Sequence, residues 1–356
     1  MKKTALILAG GRGERFWPRS RKSLPKQFLS LTDDGKTMIQ LTVERIRPLV
    51  DLEDVYIATN RDYKGLVLEQ LPGLPEENIL CEPVGRNTAP CIGLGAMHIS
   101  KKYEDAIMFV LPSDHLIKFN NMFLTVLKDA CDVAEEGENL VTIGITPDYP
   151  ETGYGYIKFC PSVTEGRAYQ VDRFVEKPSL EVAKEYIATE EYLWNSGMFT
   201  WKISSILANM EKFMPDTYEG LLRIKEAIGK PDEDAVLDKE FREMQSQSID
   251  YGIMEKAKNI YTLPGTFGWD DVGSWLAVER IKKTNESGNV VSGNIITINT
   301  HHCIIQGDKK LIATVGLDDM IIVDTDVATL ICAKDSAGDI KKVLENLKIC
   351  NRDEYI

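Results

Sequence analysis

The sequence predicts an α/β protein: a mixed, mainly parallel sheet flanked by helices, followed by a small β-rich domain that ends in a helix. Three observations predict it. Short apolar, β-rich runs alternate with longer helical ones from the N-terminus; a glycine-rich loop directly follows the first of them; and past a polar stretch at 284–289, apolar clusters recur at short intervals.

The elements follow in order. Thr4 to Ala9 reads as the first strand, and Thr37 to Leu49 has helical spacing. Val55 to Thr59, Ile79 to Cys81 and Ile107 to Leu111 read as further strands. Between and after them, Ile92, Gly95, Ala96 and Ile99, then Met122, Val126, Ala130 and Val133, mark helix faces. Strand, crossover, strand repeated in this way implies parallel pairing, with functional residues just after the carboxyl ends of strands. Beyond Val141 to Ile145 the order is mixed: strand-like Tyr154 to Phe159, Tyr169 to Val175 and Gly197 to Trp201 interleave with helical Leu180 to Ile187 and Ile203 to Met210. The turn-forming segment Thr284 to Asn289 divides a domain of residues 1–284 from one of residues 285–356. In the second, Ile295-Ile296, Ile304-Ile305, Leu311-Ile312, Met320 to Val323 and Leu330-Ile331 precede a helix from Asp339 to Leu347.

Composition narrows the function. The 356 residues suffice for a full core, and 43% hydrophobic with 27% charged residues excludes a disordered chain. Lys plus Arg number 42 against 55 Asp plus Glu, a net charge of -13, which excludes broad adhesion to nucleic acid or an anionic membrane. Any polyanion must meet a local basic site. The apolar run from Thr4 to Ala9 is too short for a signal peptide, and no run approaches the ~18 residues of a membrane span. Seven scattered cysteines without CxxC spacing fit a reducing compartment, and the expectation is a cytoplasmic protein.

The local basic site is in the glycine-rich loop. After Leu8 and Ala9 come Gly10, Gly11 and Gly13, whose amides can approach an anion, and then Arg12, Arg15, Arg19, Arg21, Lys22 and Lys26 against the single acid Glu14. The loop is neither a dinucleotide fingerprint, because Phe16 stands where glycine is required, nor a Walker A loop. Its charge alone also describes a solvated basic loop; its place after the first strand, stiffened by Pro18 and Pro25, points to a triphosphate.

Here the residues carry a family resemblance. Leu8-Ala9-Gly10-Gly11-x-Gly13-x-Arg15-x-Trp17-Pro18-x-Ser20-Arg21 and Pro25-Lys26-Gln27 resemble the signature of sugar-1-phosphate nucleotidyltransferases, in detail that of the bacterial mannose-1-phosphate guanylyltransferases. The resemblance continues through Glu82-Pro83-x-Gly85-Arg86-Asn87-Thr88-Ala89-Pro90, Pro112-Ser113-Asp114-His115, Phe174-Val175-Glu176-Lys177-Pro178, Asn195-Ser196-Gly197 and Trp269-Asp270-Asp271-Val272-Gly273. It implies a Rossmann-like, GT-A-like catalytic domain and a left-handed β-helix-like C-terminal domain that helps homodimers form. The implied reaction joins GTP and mannose 1-phosphate into GDP-mannose and diphosphate. Longer members carry a further isomerase domain; only about 70 residues follow Thr284, so that activity is expected to be absent.

The same resemblance implies roles. Arg15 and Lys26 would neutralise phosphate charge, and Asp114 and Asp271 would hold Mg²⁺, which commonly takes one or two protein carboxylates. Asp270 is the adjacent competitor, and Asp114 alone also reads as a turn cap. Arg86, Asn87 and Thr88 would face the base, although Asn87 or Thr88 also reads as a helix cap. Gly153, Glu176 and Asn195 would meet the hexose and Lys177 its phosphate. His301-His302 lacks a third metal ligand near in sequence and points to two faces of a strand. Two rivals stand beside the main reading: the same chemistry on another nucleotide or sugar phosphate, and a regulatory homologue that binds nucleotide sugar without turnover.

Overall fold

The computed structural model describes residues 1–356. In chain order, β1 (Lys2–Ala9), α1 (Met38–Ile46), β2 (Val55–Asn60), α2 (Lys64–Gln70), β3 (Ile79–Glu82), α3 (Thr88–Lys102) and β4 (Ala106–Pro112) build the expected alternation. The short β5 (Leu116–Ile117), α4 (Asn120–Glu135), β6 (Leu140–Ile145), β7 (Tyr156–Glu165), β8 (Ala168–Val175), α5 (Leu180–Thr189) and β9 (Tyr192–Lys202) follow. Three consecutive helices, α6 (Ile203–Phe213), α7 (Pro215–Ala227) and α8 (Glu233–Glu243), lead to β10 (Ile260–Gly265), β11 (Trp269–Asp270) and α9 (Ala277–Ile281). The chain ends with β12 (Val290–Ser292), β13 (Ile295–Ile298), β14 (Ile304–Gln306), β15 (Ile312–Val315), β16 (Met320–Asp324), β17 (Thr329–Ala333) and α10 (Ile340–Ile349). No helix is long and apolar enough to cross a membrane.

Two compact units emerge. The first gathers residues 1–10, 43–113 and 117–269; the second gathers 11–42, 114–116 and 270–356. The first holds a nine-stranded sheet in the order β3-β2-β1-β4-β9-β6-β10-β8-β7. Its β3-β2-β1-β4 half is parallel, whereas β9 runs antiparallel to both β4 and β6. Helix α3 packs at close range on both its neighbours: a Cβ on Gly95 would sit 2.7 Å from the Leu6 side chain of β1, and one on Gly93 would sit 2.3 Å from Leu221 of α7. Leu6, Ile92, Ala96, Met108, Phe199, Trp201, Ile206 and Leu221 belong to one buried core, which fixes the strand ends where the connecting loops begin.

In the second unit β12, β14 and β16 stack in parallel with Val290, Ile304 and Ile321 in register, while β13 pairs in parallel with β15. Parallel strands in successive coils make this segment β-helix-like. A buried asparagine closes one corner: Asn289 donates to the Thr300 carbonyl at 2.7 Å and accepts from the Cys303 N–H at 2.8 Å. Phe16, Trp17, Met38, Trp275, Ile304, Ile340 and Leu344 share one buried cluster, so the glycine-rich loop and the C-terminal coils are parts of a single core.

Candidate active site

The glycine-rich loop leaves β1 and turns through Gly13, whose φ of +61° lies in the left-handed region. A Cβ there would meet the Lys26 Cβ at 2.3 Å, so glycine is required for steric as well as conformational reasons. The space admits Lys26, which is only 4% exposed. Its ammonium sits 2.9 Å from the Asp114 carboxylate, donates to the Asp271 carbonyl at 2.7 Å and lies 5.7 Å from the centre of the Phe16 ring. Three sequence-distant predictions therefore meet at one atom.

Asp114 is about one-third exposed. Burial pushes its carboxyl up, but the Lys26 charge and then His115 outweigh it and hold it below the usual carboxylate range. Asp271 belongs to a tight turn in which the β-branched Val272 is held at φ +48°, a strained conformation for such a residue. One Asp271 carboxylate oxygen accepts from the Gly273 N–H at 3.1 Å. The neighbouring Asp270 plays a different part, taking a fork from Arg280 at 2.5 and 3.0 Å and accepting from the Val272 N–H at 2.7 Å. Of the two, Asp271 lines the cleft with Asp114 and Asp270 does not.

That cleft, of about 530 Å³, is lined by Arg12, Gly13, Arg15, Lys26, Asp114 and Asp271, with Lys341 from α10. Arg19 is drawn off to Asp308 at 2.7 Å, whereas neither the Arg12 nor the Arg15 guanidinium has an acidic partner. A larger cleft of about 690 Å³ near α2 and α8 differs: its Arg61 and Lys64 are already matched by Asp234 at 3.5 Å and Glu76 at 2.9 Å. Uncompensated cations make the first cleft the one suited to a polyanion. Its two carboxylates are hard oxygen donors of the kind a divalent ion takes, and they fit such an ion beside a phosphate.

Gly11 begins the second unit; the other remaining predicted residues lie in the first unit and form two groups. The Leu8 carbonyl accepts from the Ser113 N–H at 3.1 Å and the Ala9 carbonyl from the Thr59 hydroxyl at 2.9 Å, which leaves Gly10 at the strand's mouth. A Cβ on Gly10 would lie 3.4 Å from Glu82 Oε2. Glu82, at the end of β3, is 7% exposed, its Oε1 has no hydrogen-bond partner, and burial pushes its carboxyl up to about 7. It has no place among the sequence-predicted site residues, because it sits inside a motif without local chemistry to mark it. In the loop that follows, Asn87 accepts from the Thr88 N–H at 2.8 Å, the Thr88 hydroxyl accepts from the Ile249 N–H at 2.8 Å, and an Arg86 guanidinium N–H donates to the Arg242 carbonyl.

The second group surrounds Gly155. A Cβ there would meet Glu176 Oε1 at 3.3 Å and the Asn195 Cβ at 3.6 Å, so both side chains flank this backbone. Asn195 donates to Asp250 at 2.8 Å and accepts from the Gly197 N–H at 3.1 Å. Asp250 opens a single π-helical turn and burial holds its carboxyl above the usual range; no sequence signal marks it. Lys177 follows at φ +33°, and the Gly153 N–H is held by Glu151 at 2.7 Å.

Comparison with known proteins adds independent findings. A family model described as nucleotidyl transferase matches residues 4–288, and one described as a MannoseP isomerase/GMP-like beta-helix domain matches residues 293–347. The chain is 40% identical over 355 residues to a mannose-1-phosphate guanylyltransferase of Klebsiella pneumoniae, covering 98% of this chain and 75% of that one. A mannose-1-phosphate guanylyltransferase of Escherichia coli matches with the same identity and the same coverage. A crystal structure described as a mannose-1-phosphate geranyltransferase from Thermus thermophilus is 35% identical, with 98% of this chain and 100% of that one aligned at a TM-score of 0.88.

The two adjacent aspartates are separable by stability. Asp270→Ala strands Arg280 and is expected to cost about 1–2 kcal/mol, visible as a fall of a few degrees in thermal unfolding. Asp271→Ala should change stability by less than ~1 kcal/mol, since Lys26 holds its backbone carbonyl. The reverse ranking in a melting experiment would refute this division of roles.

Proposed function

The chain belongs to the nucleotidyl transferase family, and we propose that it makes GDP-mannose and pyrophosphate from GTP and α-D-mannose 1-phosphate. The carrying observation is the cleft in which unpartnered Arg12 and Arg15 stand beside the Lys26–Asp114 pair and Asp271. A sugar-phosphate oxygen attacks the α-phosphorus in line, the bond from that phosphorus to the β-phosphate oxygen breaks, and pyrophosphate leaves with the electron pair. The second pKa of a phosphate monoester is near ~6, so the nucleophile is already ionised and needs no general base. Mutual repulsion of anions is the obstacle. Arg15, Lys26 and the loop amides of Gly11 and Gly13 neutralise it and fix the line of attack. Mg²⁺ held by Asp114 and Asp271 would supply Lewis-acid neutralisation of phosphate oxygens when bound.

Guanine is the base favoured by Glu82. Guanine presents two adjacent donors, N1–H and N2–H, whereas uracil and thymine present one ring N–H; a carboxylate with an orphan oxygen matches the paired donors. Gly10 gives the base room beside that carboxylate, with Arg86, Asn87 and Thr88 holding the loop. On the sugar side, Glu176 accepts from hydroxyls, Asn195 both gives and accepts, Lys177 takes the hexose phosphate, and Gly153 supplies a backbone approach. We place the enzyme in the cytoplasm as a homodimer. The dimer rests on the face of the β13–β15 pair, where Ile296, Ile298 and Val315 are each more than half exposed and line up across the register pairs Ile296↔Ala313 and Ile298↔Val315.

Three measurements test the proposal. Pyrophosphate release should be fastest with GTP and mannose 1-phosphate among all nucleotide and sugar-phosphate pairs. A preference for UTP or dTTP, or for glucose 1-phosphate, would overturn the substrates, and tight GDP-mannose binding without turnover would overturn the enzyme.

Glu82 gives a pH signature. Its carboxyl, raised to about 7 in the free protein, must be ionised to accept the guanine edge. KM for GTP should therefore fall as pH rises from 6 to 8 and then level. Glu82→Gln should raise that KM roughly 10- to 100-fold and flatten the profile; an unchanged profile would remove Glu82 from the base site.

For the assembly, light scattering should give about twice the 40.0 kDa chain mass, and Ile298→Lys with Val315→Lys should return it to the monomer value. A wild-type monomer at micromolar concentration would exclude the dimer.

A further inference from the structure

We infer that Lys341, from the C-terminal helix, contacts the β- and γ-phosphates of the nucleotide and so holds the departing pyrophosphate. The inference rests on the phosphate-transfer reading above and adds to it a residue from the far end of the chain. Lys341 lines the same cleft as Arg12, Arg15, Lys26, Asp114 and Asp271. It is exposed and has no acidic partner in a chain of net charge -13, the same condition as Arg12 and Arg15.

Lys341 and Lys342 begin α10, which continues without a break from the 3-10 turns at 334–339, so that the Ile340 N–H already donates to the Ala337 carbonyl. Lys342 is compensated by Asp339 at 2.8 Å; Lys341 is not. A cation that lines the phosphate-suited cleft and serves no ion pair of the fold points to function.

The helix is also held firmly against the glycine-rich loop. Ile340 and Leu344 are buried in the cluster that contains Phe16, Trp17 and Trp275. The Trp17 indole N–H donates to the Tyr355 carbonyl at 2.7 Å, and Lys348 lies 3.9 Å from Glu14. Lys341 is therefore presented by an anchored element, so its ammonium needs little ordering to meet phosphate oxygens. In the forward reaction it stabilises the charge that gathers on the leaving β-phosphate as its bond to the α-phosphorus breaks; in the reverse reaction it binds the incoming pyrophosphate.

The reverse reaction separates this contact from general damage. With Mg²⁺, GDP-mannose and pyrophosphate, Lys341→Gln is expected to raise KM for pyrophosphate roughly 10- to 100-fold while KM for GDP-mannose stays within twofold. Lys341→Arg should recover most of the loss, and Lys342→Gln should change neither constant. Equal rises in both constants, or an unchanged KM for pyrophosphate, would overturn the inference while leaving the transfer reaction standing. Failure of the wild-type protein to consume pyrophosphate with any nucleotide sugar would overturn both.

Discussion

The buried ammonium of Lys26 is the constraint on which the rest of the site depends. It joins the glycine-rich loop, the turn after β4 and the turn at 271 through one carboxylate and one carbonyl. A charge removed from water this completely is tolerated only where it is paired and hydrogen-bonded, so the three segments cannot drift apart without exposing or stranding it. Gly13 yields the space for it, and strained Val272 aims the carbonyl toward it. Because Lys26 keeps Asp114 ionised, the cleft retains an anionic donor among its cations. In the proposed function, neutralisation of phosphate and retention of a metal-type ligand are thus consequences of the same contact.

Around that contact the charges divide into those the fold uses and those it leaves available. Arg19 is matched by Asp308 and Arg280 by Asp270. Arg12, Arg15 and Lys341 have no such match although the chain carries 55 acidic residues. Unmatched cations within one cleft of an otherwise anionic protein concentrate field lines there, raising local affinity for a polyanion without making the whole surface adhesive. Mutual repulsion among them opposes the ligand-free state, and a bound triphosphate relieves it.

Much of this was legible in the sequence where local periodicity and local chemistry coincide. Strands β1, β2, β3, β4 and β6 emerge as apolar runs between turn signals, and the cationic loop was visible as an island of charge. Helices α7 and α8 give no clear apolar spacing, since their charged faces dilute it; α7 becomes necessary only by packing against α3, and α8 by packing against α7. The choice between Asp270 and Asp271 needed Arg280, a partner ten residues away whose fork no spacing rule foretells. His302 shows the converse. Parallel coils bring Asp318 to 3.1 Å from its ring, a neighbour invisible in sequence, yet the group is exposed and Lys334 already lies 3.6 Å from Asp319. Glu82, Asp250 and Lys341 gave no signal because what marks each of them is a relation in space: an orphaned oxygen, a buried amide partner, an absent counter-charge.

The segment from Gln247 to Asp250 supports both the loop after β3 and the amide of Asn195. Gln247 exchanges backbone hydrogen bonds with Arg86 and Ala89 at 3.2 and 3.0 Å, and the Ile249 N–H donates to the Thr88 hydroxyl, which ties this segment to the start of α3. One residue later, Asp250 fixes the amide of Asn195, whose remaining hydrogen-bonding capacity is then presented in a defined orientation beside Glu176. An asparagine amide that could rotate freely would give and accept at either position and discriminate poorly between epimeric hydroxyls; a carboxylate on its nitrogen and a backbone N–H on its oxygen remove that freedom. Because the same four residues restrain the loop after β3 and the Asn195 amide, a change that loosens them loosens both together. In the proposed function, selectivity for nucleotide and for hexose is for this reason a joint property of one short strap, whereas the neutralisation of phosphate rests on Lys26 and its partners.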